Sequence, residues 1–229
     1  MNTIIKQSND WDVIFRNRPT DTIGYPAMQN PFDTLYLKGT NVLVEKKDTP
    51  RILITGTRDM SLYGKDCTQR IVNAISRNPQ KPIIISGLAI GIDAVAHRAA
   101  IDTGLPTVAV VATGLDTVYP FVNTGLHDDI IKNGGSIITL FPEKTAPVAI
   151  NFLTRNKLMA TIADYIIVVE SKTKGGSILT AKYGADIGCT VYAVPGRVGD
   201  VRSLGCNDLI LNQYAEILPD FEVFSEPIF

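Results

Sequence analysis

Residues 83–100 read IIISGLAIGIDAVAHRAA, and their character changes at Ser86. Three isoleucines lead into the serine with no polar alternation, which suits a strand buried on both faces. Gly87 and Gly91 follow, four residues apart. Then come Asp93, His97 and the alanines at 94, 96, 99 and 100, small residues at helical spacing that let a helix sit close against a sheet. Strand, glycine turn and helix in this order form the repeating unit of an α/β sheet.

The same unit recurs outward from this stretch. RILITG (51–56), PTVAVVATG (106–114), GSIITLF (135–141), DYIIVVE (164–170) and CTVYAVPG (189–196) are short runs dominated by Ile and Val. Segments of helical length lie between them, at about 64–78, 91–103, 121–133, 150–163, 177–188 and 203–216. The alternation predicts a doubly wound, mostly parallel sheet of extended Rossmann-like type over residues 51–216. Before it, residues 1–50 read as a short N-terminal arm. Turn formers fill RNRPTDTIGYPAMQNPFD, and TLYLKG and NVLVEKK alternate like two small strands. Residues 217–229 read as an acidic tail.

The 229 residues suffice for a sizeable core without staples, and 45% hydrophobic with 20% charged residues is ordinary for a globular protein. Cys67, Cys189 and Cys206 are odd in number and form no CxxC or other metal spacing. They read as reduced structural thiols, and no metal site is expected. With no basic-then-apolar leader and no apolar run near the ~20 residues of a membrane span, the expectation is a cytoplasmic protein without membrane contact. Net charge is −1, but residues 51–215 carry an excess of three cations, and four acids with no Lys or Arg fall in the last fourteen residues. Nucleic-acid binding would therefore need a local basic patch rather than a global field.

In such folds ligands bind at the carboxyl ends of the strands. After the first strand, Gly56 permits a tight turn. Thr57 and Arg58 follow, and the guanidinium suits bidentate contact with a phosphate, although a turn with a surface arginine reads equally plainly. The opening stretch, Ser86 to Gly91, has glycines spaced G-x-x-x-G, which is neither the dinucleotide fingerprint nor a P-loop. Backbone amides at its helix start favour an anion, yet Asp93 in the first turn satisfies those amides too. Asp93 and His97, four apart, share a helix face and can pair, so a structural turn competes with a phosphate site. Residues 112–123 offer Tyr119 before Pro120, and Asn123. NFLTRNKLMA places Asn151, Arg155, Asn156 and Lys157 in one helical segment, and cations beside amides suit a phosphate backbone. ESKTKGGS brings Lys172 and Lys174, then Gly175, Gly176 and Ser177 opening a helix with no acid in its first turn, the most phosphate-like element by chemistry. No nucleophile elbow or HExxH occurs. His127, in the polar LHDD segment, reads as solvated, and Glu170 is the one strand-end carboxylate to weigh as an acid or base.

Taken together, ILITGTRDMSLYG, IIISGLAIGIDAVAHRAA, TVAVVATGLDTVYPFVN, NFLTRNKLMA, YIIVVESKTKGGSILTAKYG, VYAVPG and SLGCNDLI closely resemble the DprA/Smf family of bacterial DNA-processing proteins, with YPAMQNPFDTLYLKG upstream. The resemblance spans roughly residues 25–212. It implies a Rossmann-like fold that binds single-stranded DNA, forms a homodimer and loads RecA recombinase during natural transformation, with no catalytic residue and no cofactor. By motif it implies DNA contacts at Arg58, the Gly87–Gly91 turn, Asn151 to Lys157 and the Gly175–Ser177 turn; with the residue reading, the expected contacts are Gly56, Thr57, Arg58, Ser86, Gly87, Gly91, Tyr119, Asn123, Asn151, Arg155, Asn156, Lys157, Lys174, Gly175, Gly176 and Ser177, while Asp93 and His97 are expected to hold the turn in shape. The sequence departs from the family at Leu153, usually proline, at Lys157, usually arginine, and at Gly175, usually serine. The C-terminal winged-helix-like domain of many members is not expected here. The alternative is a nucleotide-derivative-binding protein similar to the phosphoribohydrolases. Their PGGxGTxxE motif is matched only by KGGSILTAK, where Lys182 replaces the catalytic glutamate.

Overall fold

The computed structural model describes residues 2–6, 9–16, 18 and 34–227. The six expected strands all form, as β3 (Arg51–Thr55), β4 (Ile83–Ser86), β5 (Thr107–Val110), β6 (Ser136–Thr139), β7 (Tyr165–Val168) and β8 (Thr190–Ala193). They are parallel, and β3–β6 are buried at every position. The helices between them are α3 (Leu62–Arg77), α4 (Ile92–Asp102), α5 (Thr124–Lys132), α6 (Ala149–Ile162), α7 (Gly176–Asp186) and α8 (Leu204–Leu211).

One sheet of nine strands results. From one edge it runs β1 (Asn2–Lys6), β2 (Thr34–Gly39), β6, β5, β4, β3, β7, β8 and β9 (Glu216–Ile217), with β1 and β2 antiparallel. Helices α3, α4 and α5 cover one face and α6, α7 and α8 the other, each over its own apolar layer. This is the doubly wound fold expected. The chain leaves β3 toward β4 on one side and reaches β7 on the other, so the topological switch lies at the carboxyl end of β3.

Two element assignments differ from the pattern-based expectation. NVLVEKK is not a strand: Val42–Glu45 is a short helix, α2, whose Val42 and Leu43 are buried. So short a run cannot distinguish one helical turn from a strand by its pattern, and here the amides of Val44, Glu45 and Lys46 bond back to the carbonyls of Asn41 and Val42, closing a turn. The last helix stops at Leu211, because residues 216–217 extend the sheet beside β8. The turn-rich residues 19–33 lie outside the described residues.

The described part of residues 1–50 is built into the domain. Arg51, at the start of β3, has no exposed surface. Its guanidinium donates to the carbonyls of Ile14 (2.6 Å), Val13 (3.0 Å) and Leu43 (2.8 Å), tying α1 (Asn9–Phe15) and α2 to the central strand. Burial, then the nearby Arg16, lowers its pKa to about 9, still cationic at neutral pH. Asp164 accepts from the Arg51 amide and from Arg16, both at 2.9 Å. At the other end, Phe224 packs edge-on against Tyr165 and Tyr192, and Glu222 pairs with Arg77, so this stretch of the acidic tail lies on the domain surface.

Arg51→Met keeps the apolar stem but strips three carbonyls of their donor. The expected loss of stability is about 2–4 kcal/mol in urea unfolding, and Arg51→Lys should recover only part of it, since one ammonium cannot span the three acceptors.

Candidate nucleic-acid interface

The carboxyl ends of β3 and β7 diverge around a cleft of about 400 Å³. Gly56, Thr57 and Arg58 form one wall, the exposed face of α6 the floor, and residues 171–177 the other wall. Gly56 must be small, because a side chain there would meet Ile92 and the Glu170 carbonyl. The Thr57 amide donates to that carbonyl at 2.7 Å, which fixes the first wall to the end of β7.

The residues 87–91 back this wall. Gly91 adopts φ +83°, a region that only glycine enters freely, and a Cβ there would lie 2.8 Å from the Arg58 Cα. Gly87 is gripped from both sides. Its amide donates to Asp93 Oδ2 (3.2 Å) and its carbonyl accepts from Arg155 Nη1, which also donates to the Val110 carbonyl (3.0 Å). Asp93 Oδ1 accepts from Thr55 (3.2 Å). Burial raises the Asp93 pKa, opposed by the Arg155 charge. Burial lowers the Arg155 pKa to about 10, opposed by Asp93. Each charge thus offsets part of the burial penalty of the other.

The expected Asp93–His97 pair does not form. Asp93 reaches back to Gly87, while His97 turns toward the sheet, with Nδ1 2.7 Å from Thr107 Oγ1. The Thr107 hydroxyl donates to the Ile84 carbonyl, so it accepts from the His97 ring. His127 is buried, not solvated, with Nδ1 2.8 Å from Asp128. Four-residue spacing fixes a helix face for Asp93 and His97, and polar neighbours suggest solvent for His127, but in both cases packing decides what the side chain meets.

Of the expected contact residues, Gly56, Thr57, Arg58, Arg155, Asn156, Lys174, Gly175, Gly176 and Ser177 line the main cleft. Gly87 and Tyr119 line a smaller adjoining hollow with Arg58 and Arg155. The others stand behind. Ser86 donates to the Ile54 carbonyl (2.6 Å), Asn123 to the Leu88 carbonyl (2.9 Å) and Asn151 to the Ala146 carbonyl (3.1 Å). Lys157 lies over the Tyr183 ring at 5.5 Å, toward α7. Glu170 accepts from the amide (2.9 Å) and hydroxyl (2.5 Å) of Ser61, so its carboxylate holds the start of α3. Lys182 extends over Tyr214, 4.6 Å from the ring centre.

Phe152 is the functional candidate that residue-type reasoning missed. Its ring lies 5.3 Å from the Arg58 guanidinium, 5.6 Å from that of Arg155 and 5.7 Å from the Tyr119 ring, at an edge-on angle. The available signal was its i, i+3 spacing from Arg155. Asp59 was also overlooked: it draws Arg202 to 3.0 Å and Lys172 to 3.8 Å, committing two rim cations to ion pairs. Across the cleft, the α7 N-terminus has no side-chain cap. Gly175 is its N-cap, and the Ser177 hydroxyl meets Ser171 at 2.7 Å. The Ile178 amide donates to the Gly175 carbonyl, which leaves the Gly176 and Ser177 amides and the exposed Lys174 available to an anion.

A family model described as DNA recombination-mediator protein A matches residues 19–228. The chain belongs to this family. DNA processing protein DprA of Streptococcus pneumoniae is 32% identical over 194 residues, covering 82% of this chain and 66% of the relative. Its crystal structure superposes with a TM-score of 0.82, at 28% identity over 99% of this chain and 75% of that one. DprA of Bacillus subtilis is 32% identical over 221 residues, 93% of this chain and 73% of the relative. The Helicobacter pylori DprA structure, described for its single-stranded DNA binding mode, shares the fold with a TM-score of 0.80 at 23% identity, over 98% of this chain and 94% of that one. The chain thus spans about two thirds to three quarters of its Streptococcus and Bacillus relatives. Among the described residues, no helix is long and apolar enough to cross a membrane.

The buried His97 makes a measurable prediction. Burial lowers its pKa from 6.5 to about 3. Between those values the unfolded chain takes up the proton and the folded chain does not, so stability falls as pH falls. Asp93, with a raised pKa, acts in the opposite sense. His97→Leu should therefore flatten the loss of stability between pH 6.5 and 4, whatever its stability at pH 7, as read from urea midpoints across that range.

Proposed function

We propose that this DprA/Smf family member binds single-stranded DNA in the cleft between β3 and β7, without catalysing a reaction. The observation that carries this reading is the facing of two unlike elements. On one side an exposed guanidinium lies against an aromatic ring, Arg58 on Phe152, and on the other stands an uncapped helix start with Lys174. A cation beside a stacking platform suits a phosphate–base unit, and amides with a lysine suit a second phosphate. Arg58, Lys174 and the amides of Gly176 and Ser177 meet phosphates, the Phe152 ring meets a base, and the remaining family-implied residues hold the walls. Recognition by these groups is tolerant of sequence. The one carboxylate lining the cleft, Asp93, is committed to Gly87 and Thr55, which favours a binding rather than a catalytic role.

Family membership supports the wider role. The protein acts in the cytoplasm as a homodimer, covers incoming single strands and passes them to RecA recombinase in DNA recombination and natural transformation. No cofactor is needed for this. A second reading rests on the cleft volume of about 400 Å³, which also accommodates a mononucleotide. A phosphoribohydrolase would in addition need an acid where Lys182 stands.

Fluorescence anisotropy with labelled oligo-dT at several salt concentrations tests this. The logarithm of the affinity should fall steeply and linearly with log salt, and Arg58→Ala should weaken binding at every concentration while lowering the slope by about one. Tight mononucleotide binding without oligo-dT binding would overturn the reading.

A further inference from the structure

Next in the chain to the residues lining the smaller hollow stands an exposed aromatic side chain. Phe121 is 84% exposed, and its neighbour Val122 is 74% exposed. Large apolar side chains standing free in water beside a binding cleft mark a contact surface more often than a structural one. Phe121 follows Pro120, which lines the hollow shared by Arg58, Tyr119 and Phe152, so its Cα is about 3.8 Å along the chain from a cleft residue. Ile90, 43% exposed, belongs to the same hollow.

This rim segment is held in place. Phe121 begins a 3₁₀ turn (Phe121–Asn123), and the Asn123 side chain fastens that turn to the Leu88 carbonyl at 2.9 Å. The Thr124 hydroxyl donates to the Phe121 carbonyl at 2.7 Å. The ring is therefore presented on an anchored backbone, which reduces the ordering cost of contact.

We propose that Phe121 is a second base-stacking site, taking the nucleobase of a strand that leaves the cleft over Tyr119 toward the β5 side. The inference rests on the single-strand reading of the cleft. The occupant is a polynucleotide rather than a protein because the apolar rim runs into a hollow lined by two arginines and two aromatic rings, the composition of a stacking groove. Charge plays little part at Phe121 itself, so its contribution is nearly independent of salt, whereas that of Arg58 depends on salt.

The test compares wild type, Phe121→Ala, Phe121→Trp and Arg58→Ala on dT2 to dT12 at three salt concentrations. Phe121 is on the surface, so folding is unaffected by its replacement. Phe121→Ala should bind long oligonucleotides about 5- to 100-fold more weakly, bind dT2 normally and keep the wild-type salt slope. The sequence has one tryptophan, Trp11, which is buried within the core of the opposite face. A tryptophan at position 121 should restore affinity, and its fluorescence should be quenched by long but not short oligo-dT. Wild-type affinity of Phe121→Ala at every length, or an unquenched Trp at 121, overturns the inference. So does a change confined to self-association in sedimentation, which would make the patch a contact between copies. If Arg58→Ala also binds like wild type, the cleft reading fails as well, and the two failures are told apart.

Discussion

The peptide of Gly87 is held by two opposite charges inside the protein, and the cleft depends on that grip. Asp93 takes its N–H and Arg155 its carbonyl. Through these bonds α4 and α6, which lie on opposite faces of the sheet, are both fastened to the end of β4. Thr55 from β3 and the Val110 carbonyl from β5 join the same network. Any side chain at position 87 would collide with the two charged groups, so the residue must be glycine. Leaving either buried charge without its partners costs several kcal/mol, which makes the network rigid rather than adjustable.

Rigidity at Gly87 is passed outward. The turn ends at Gly91, pressed against the backbone of Thr57 and Arg58, so the backbone that carries the exposed guanidinium is fixed from behind. Phe152, one helical turn before Arg155, is placed by the helix that supplies the clamp. The arginine most exposed to ligand and the aromatic ring beneath it are thus positioned by one buried assembly. The opposite wall needs less support, because a helix N-terminus presents its amides by geometry alone. The result is a cleft with one preorganised wall of cation and ring and one wall of backbone donors.

The charges near the cleft show why residue types overstate function. Five cations at the strand ends and on α6 can be read as phosphate ligands, yet Asp59 engages Lys172, Arg155 is bound to the Gly87 and Val110 carbonyls, and Lys157 lies over Tyr183. Arg58 and Lys174 remain exposed to the cleft. Sequence spacing places a cation on an element, but its partners come from segments far along the chain; Asp59 and Arg202 are 143 residues apart.

What the sequence by itself determined was the layered fold. Strands buried on both faces must be apolar throughout, and amphipathic helices must alternate with them, so the pattern of Ile–Val runs dictates the sheet locally, residue by residue. The glycine-rich strand ends were legible for the same reason, since a tight turn has few solutions. Only the tertiary structure decided that NVLVEKK is a helical turn, that Asp93 grips Gly87 rather than His97, that Arg51 binds the first residues into the domain, and that Phe152 underlies Arg58. The Arg51 and Phe152 contacts join residues distant in the chain, and the other two are local choices settled by what the surrounding elements leave room for. Such contacts depend on how the elements pack in three dimensions, which one-dimensional periodicity does not specify.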